Sequence, residues 1–148
     1  MVGTIKRSSV LLIPIALTLG GCGNSSDGKE PTESGCDKNP QSIAIKAVNG
    51  DGLKGTLVVR KANPSDCDRT YWGWFDPDDS LSSESTHGWE LTFWSDKKTT
   101  PVQYSEPGNP LVTAWTTVLH VEKGTNVWAC VRDMDSGREY CTDKVQPA

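Results

Sequence analysis

From Ser42 onward the chain alternates. Ile43, Ile45 and Ala47 interleave with Ala44 and Lys46, a period of two that predicts a half-buried strand. Asn49-Gly50-Asp51-Gly52 predicts a tight turn. Leu53 to Lys61 resumes the alternation, with Leu53, Leu57 and Val59 on one side, and Asn63-Pro64-Ser65-Asp66 breaks it. Thr70 to Phe75 is aromatic and extended. Trp89, Leu91 and Phe93 alternate with Glu90, Thr92 and Trp94. Pro107-Gly108-Asn109-Pro110 reads as a loop, and Leu111 to Val121 as a long strand rich in Thr and Val. Thr125 to Asp133 and Arg138 to Val145 complete the set. No segment carries an apolar stripe of helical period with caps. Seven or eight short strands in about 105 residues predict an all-β fold: a small disulfide-stapled β-sandwich, immunoglobulin-like, or a small barrel.

Ahead of these strands the pattern is different. Gly23 to Gln41 has no apolar side chain apart from Cys36 and the prolines, so it cannot bury enough surface to fold alone. Residues 22–41 read as a flexible tether and residues 42–148 as the folded head. Before the tether, Lys6 and Arg7 precede an apolar run, Val10 to Leu19. That run falls short of the about 20 residues a spanning helix needs and is broken by Pro14. A basic start followed by a short apolar run is the pattern of a secretory signal, here residues 1–21.

Leu19-Gly20-Gly21-Cys22 directly follows that run. It resembles the lipobox of bacterial lipoproteins, over about the first 22 residues and no further. The resemblance implies cleavage before Cys22 and acylation of its thiol and amine. It also implies residence on the cell membrane or outer membrane, facing the periplasm or the exterior. Gly23, where an Asp would favour inner-membrane retention, points to the outer membrane where there is one. Two or three acyl chains anchor durably, whereas one binds only marginally. A flexible spacer of about 13 residues up to Cys36 would hold the head roughly 20 Å from the bilayer.

Composition narrows the function classes. The 148 residues are 35% hydrophobic with a net charge of −4, and loss of Lys6 and Arg7 with the leader makes that −6. Blanket negative charge disfavours nucleic acid and anionic membrane surfaces as partners.

Four cysteines remain beyond Cys22, an even number that in an exported chain implies disulfides. A hairpin turning at Asp135-Ser136 places Cys130 opposite Cys141, Arg132 opposite Glu139 and Asp133 opposite Arg138, two opposite-charge pairs beside one bridge. Cys36 and Cys67 are then left to pair. The alternative is an inter-sheet bridge of immunoglobulin type between Cys67 and Cys130.

Catalytic chemistry finds little footing. His120 lies in an apolar Thr-rich segment, and His87 lies in a Ser-rich loop without a nucleophile elbow. The cluster Asp76-Pro77-Asp78-Asp79 works as a solvated turn. Asp133-Met134-Asp135, which resembles the start of a calcium loop, lacks its third ligand and the Gly that should follow, and is explained as the hairpin turn. No metal site and no cofactor are expected. The distinctive stretch is Tyr71-Trp72-Gly73-Trp74-Phe75. Trp72 and Trp74 share one strand face while Tyr71 and Phe75 share the other, so one aromatic face is in surplus of what a single core needs, with Trp94 or Trp115 as further members. Some of these rings must also supply core, since Phe and Leu are few. Tyr71, Trp72, Trp74, Asp76, Asp78 and Asp79 are therefore the candidate binding residues of a non-catalytic module. Its expected occupant is an envelope protein. The alternatives are a glycan such as peptidoglycan, stacked on Trp and Tyr, or no partner at all in a purely structural surface protein.

Overall fold

A computed structural model describes residues 27–78, 86–105 and 112–147. The described chain is built from nine short strands and one turn of helix. These are α1 (Pro31–Ser34), β1 (Gln41–Asn49), β2 (Lys54–Lys61), β3 (Thr70–Pro77), β4 (Trp89–Ser95), β5 (Gln103–Ser105), β6 (Ala114–Trp115), β7 (Leu119–His120), β8 (Val127–Asp133) and β9 (Glu139–Cys141). One antiparallel sheet runs β1-β2-β3, with β6 and β7 both paired to the far edge of β3; the second runs β5-β4-β8-β9. The two sheets form a sandwich and not a closed barrel.

The core lies between them. Leu57, Val59, Tyr71 and Phe75 from the first sheet meet Trp89, Leu91, Phe93, Val127, Ala129 and Val131 from the second. Phe75 meets Trp89 edge-on at 5.1 Å. Gly73 sits where the sheets approach most closely, since a Cβ there would come within 3.3 Å of the Ala129 Cβ. The inward-facing side of the aromatic strand thus reads Tyr71, Gly73, Phe75, and both aromatics are fully buried.

The sequence expectations hold for the β4 alternation and for the inward set Leu53, Leu57 and Val59. Two others are corrected. A bulge between Ser42 and Ala44 shifts the β1 register, which turns the side chains after it to the other face. Ile45, expected inside, is 66% exposed, and Val48 is the residue buried. The segment expected as one strand over Leu111–Val121 carries the two short strands β6 and β7, with Thr116 between them donating its amide to the Gly73 carbonyl and accepting the Gly73 amide on its hydroxyl.

Both disulfides pair as the hairpin argument expects. Cys130 lies opposite Cys141 in the β8–β9 register, and Cys36 is bonded to Cys67. Arg132 lies opposite Glu139 in the same register and the Asp133 amide donates to the Arg138 carbonyl, as expected, while the side chains of Arg132 and Asp133 reach other partners. Arg132 Nη1 lies 3.7 Å from Glu90 Oε1 on β4, and Asp133 is buried against His87.

The tether expectation also needs correcting over residues 27–40, which pack onto the head. Asp27 accepts the His120 amide at 2.6 Å and the Lys98 ammonium at 2.7 Å. The Gly28 amide donates to the Val118 carbonyl, and the Val118 amide donates to the Lys29 carbonyl. Pro31 opens α1 at a position where its missing N–H costs nothing, and Gly35 closes it in the left-handed region with φ 77°. Cys36 is then buried with Ala62, Trp72 and Val118 in a second small core, on the outer side of the first sheet. The polar composition of this segment hid its anchoring because what seats it is not apolar surface: one disulfide, one buried proline, one carboxylate and two backbone hydrogen bonds.

Candidate functional site

Cross-strand register builds the outer face of the first sheet row by row. Residues opposite one another share a face, so Ile45, Val58, Trp74 and Trp115 form one row across four strands. The next row toward the β3 C-terminus holds Ala47, Thr56 and Asp76, with the Thr113 hydroxyl donating to Asp76 Oδ1 at 2.7 Å. The row on the other side pairs Arg60 with Trp72.

The predicted binding residues divide accordingly. Tyr71 is corrected: it is fully buried on the inner face, where burial, the largest influence, pushes its phenol above the usual range. Trp72 is on the expected face but is 3% exposed, covered by the Cys36 segment. Trp74 is half-buried on that face with Trp115 beside it. Asp76 is exposed two residues along the same strand face, and Asp78 is exposed with its amide bonded to the Lys54 carbonyl. Asp79 lies outside the described residues. Trp94, considered as a further member, belongs to the opposite sheet, where it stacks on Trp128 at 6.2 Å with an interplanar angle of 4°. Lys144 Nζ caps the Trp128 ring at 4.2 Å.

Between the first sheet and residues 31–40 lies a recess of about 270 Å³. Trp72, Trp74 and Trp115 line it from the sheet, and Pro31, Thr32, Asp37 and Pro40 from the overlying segment. Arg60 also lines it, its guanidinium carbon 4.4 Å from the centre of the Trp74 ring. Arg60 Nε is buried and has no hydrogen-bond partner among the described residues. A larger depression of about 680 Å³ lies beyond the aromatic row, lined by Asn49, Lys54, Thr56, Asp76, Asp78 and Thr113 among others, with no aromatic ring. Arg60 and Asp37 carried no local sequence signal. Trp115 is 41 positions from Trp74, and only the β3–β6 pairing brings them together.

One titratable cluster stands apart, at the turn end of the sandwich. His87 Nδ1 contacts Asp133 Oδ2 at 2.7 Å and Oδ1 at 2.9 Å, while Nε2 faces Asp135 Oδ2 at 3.6 Å. The Asp133 hydrogen bond, and then the surrounding acids, hold the His87 imidazole above its usual range against the opposing effect of burial. Burial alone would raise the Asp133 carboxyl, but hydrogen bonds from His87 and from the Asp135 and Ser136 amides outweigh it and hold it low. Both ring nitrogens face carboxylates, so neither is turned to a hydroxyl nucleophile. The grouping Cys130, Glu139 and Cys141 is spent on the disulfide.

No family model, curated protein or solved structure matches this chain. Among the described residues no helix is long and apolar enough to cross a membrane.

Proposed function

We propose that the protein is a lipid-anchored, non-catalytic binding module of the bacterial cell envelope, and that its binding face is the outer face of the first sheet. The carrying observation is the row Ile45-Val58-Trp74-Trp115: two half-buried indoles and an exposed isoleucine across four paired strands. Large apolar groups left at a surface beside polar ones mark interaction sites more often than they mark idle surface. The lipid on Cys22 supplies localisation, and the acidic head supplies no attraction to the bilayer. A protein partner and a glycan both suit such a face, and its firmness favours the glycan, because a sugar ring needs a flat aromatic surface held in place.

The test is retention on isolated cell envelopes. The chain without its acyl anchor, purified as Cys22→Ser, is expected to bind envelopes, Trp115→Ala in that background to lose that retention, and Trp128→Ala on the opposite sheet to keep it. Absence of retention, or equal retention of all three, overturns this reading.

A further inference from the structure

Resting on that reading, we propose that the recess under residues 31–40 is a subsite for one neutral pyranose ring of a glycan chain. Trp115 takes the apolar C–H face of the ring, and Arg60, seated on Trp74, and Asp37 take its hydroxyls.

The size sets the scale of the occupant. About 270 Å³ falls just below the roughly 300–1,000 Å³ of pockets for drug-sized ligands. A single ring fits it better than a folded loop.

Chemistry then selects among rings. The recess has apolar walls, Trp72, Trp74, Trp115 and the two prolines, and a polar edge that includes both a donor and an acceptor. Arg60 supplies that edge with guanidinium donors and Asp37 with carboxylate acceptors, so the occupant must both accept and donate. A proline-rich peptide would cover the indoles and accept from Arg60 through its carbonyls, but its prolines have no N–H to donate to the Asp37 carboxylate and would press apolar surface on it. A cation would meet the guanidinium already seated on Trp74. A strongly anionic ligand would meet Asp37 and a chain of net charge −4. A neutral pyranose answers each demand: its axial hydrogens face the Trp115 indole, and its hydroxyls both donate and accept around the rim.

The same face explains how a small recess could hold a long chain. Asp76, Trp74 and Trp72 point the same way at alternate positions of β3. They span about 13 Å along the strand. Beyond the aromatic row, Thr56, Asp76 and Thr113 offer hydroxyls and a carboxylate to the neighbouring rings. Binding energy would then accumulate ring by ring.

The experiment titrates the full chain in detergent with cellohexaose, chitohexaose and soluble muropeptides, following indole fluorescence. At least one probe is expected to saturate. Trp115→Ala and Arg60→Gln are each expected to weaken it by about tenfold or more, while Trp128→Ala leaves it unchanged. Saturable binding that ignores Trp115→Ala and Arg60→Gln overturns the subsite. Absence of binding to every probe, together with envelope retention that protease treatment of the envelopes abolishes, overturns the glycan and leaves the module standing with a protein partner. Absence of both glycan binding and envelope retention overturns the two readings together.

Discussion

His87 and Asp133, 46 positions apart, are joined by a 2.7 Å contact that ties the loop before β4 to the end of β8. The rest of the turn closes around them. The His87 amide donates to the Gly52 carbonyl, the Met134 amide to the Gly88 carbonyl, and Asp133 Oδ1 accepts the Asp135 and Ser136 amides. Asp133 is 3% exposed, so its carboxylate relies on these donors for solvation.

This pair predicts a pH window of stability. The His87 pKa is raised on folding, so its contribution is fully present below the unfolded value, about 6.5, and is lost as pH rises through the higher folded value. The Asp133 pKa is lowered, so its contribution is present above the unfolded value near 3.8 and is lost as pH falls through the lower folded one. The melting temperature should therefore decline as pH rises above about 6.5, and His87→Gln should flatten that decline. An equal slope in both proteins counts against the pair.

Gly52 is tied to the same cluster. A Cβ there would overlap the His87 ring, so the ring must move. Gly52→Ala should destabilise by about 1–3 kcal/mol and remove most of the His87-dependent pH slope, read by thermal melts at two pH values. Retention of the full slope would show that the ring stays in place.

The two outer-face indoles of β3 should separate stability from binding. Trp72, buried against Cys36, Ala62 and Val118, should cost about 3–5 kcal/mol on replacement by Ala. Trp74, half-buried, should cost clearly less in the same urea titration while still weakening ligand retention. Equal stability losses would place Trp74 in the core.

Each disulfide closes a loop of different length, 31 residues for Cys36–Cys67 and 11 for Cys130–Cys141. The loop-entropy account assigns about 4 and about 3 kcal/mol respectively. Replacing Cys36 and Cys67 together by Ser should in addition release residues 27–40 from the sheet, seen as faster amide exchange at Gly28 and Val118. Unchanged exchange there would mean that Asp27 and Pro31 hold the segment by themselves.

Cys22→Ser should free the protein from wall-stripped membranes in a detergent-free wash, since the net negative charge gives no attraction to the bilayer itself. Continued sedimentation with membranes would remove the lipid from the account.

What could be read from the chain was local. The β8–β9 register follows from residues within a dozen positions of one another, where the spacing of two cysteines and the opposed charges around them all point to one alignment. The surplus aromatic face of β3 was legible because side chains alternate along a strand. What escaped was set by distance or by a single irregularity. One bulge beside Ile43 exchanged the faces of β1, which no alternation of Ile43, Ile45 and Ala47 could reveal. Trp115 belongs to a strand of two residues, too short for a periodic signal. Residues 27–40 looked like linker because their composition is polar, yet Asp27, Pro31 and Cys36 help to seat them, and they form one wall of the recess.

The seating of Asp27 also limits how far the head can stand off. Between Cys22 and Asp27 lie only Gly23, Asn24, Ser25 and Ser26, a leash that at full stretch reaches about 17 Å. With acyl chains on Cys22, the end of the sandwich bearing Lys98 and His120 would ride close over the headgroups, with little latitude to swivel. A polymer captured on the first sheet would then be held within a few nanometres of the lipid, so the molecule would serve as a short cleat between wall and membrane and not as a long-armed sensor.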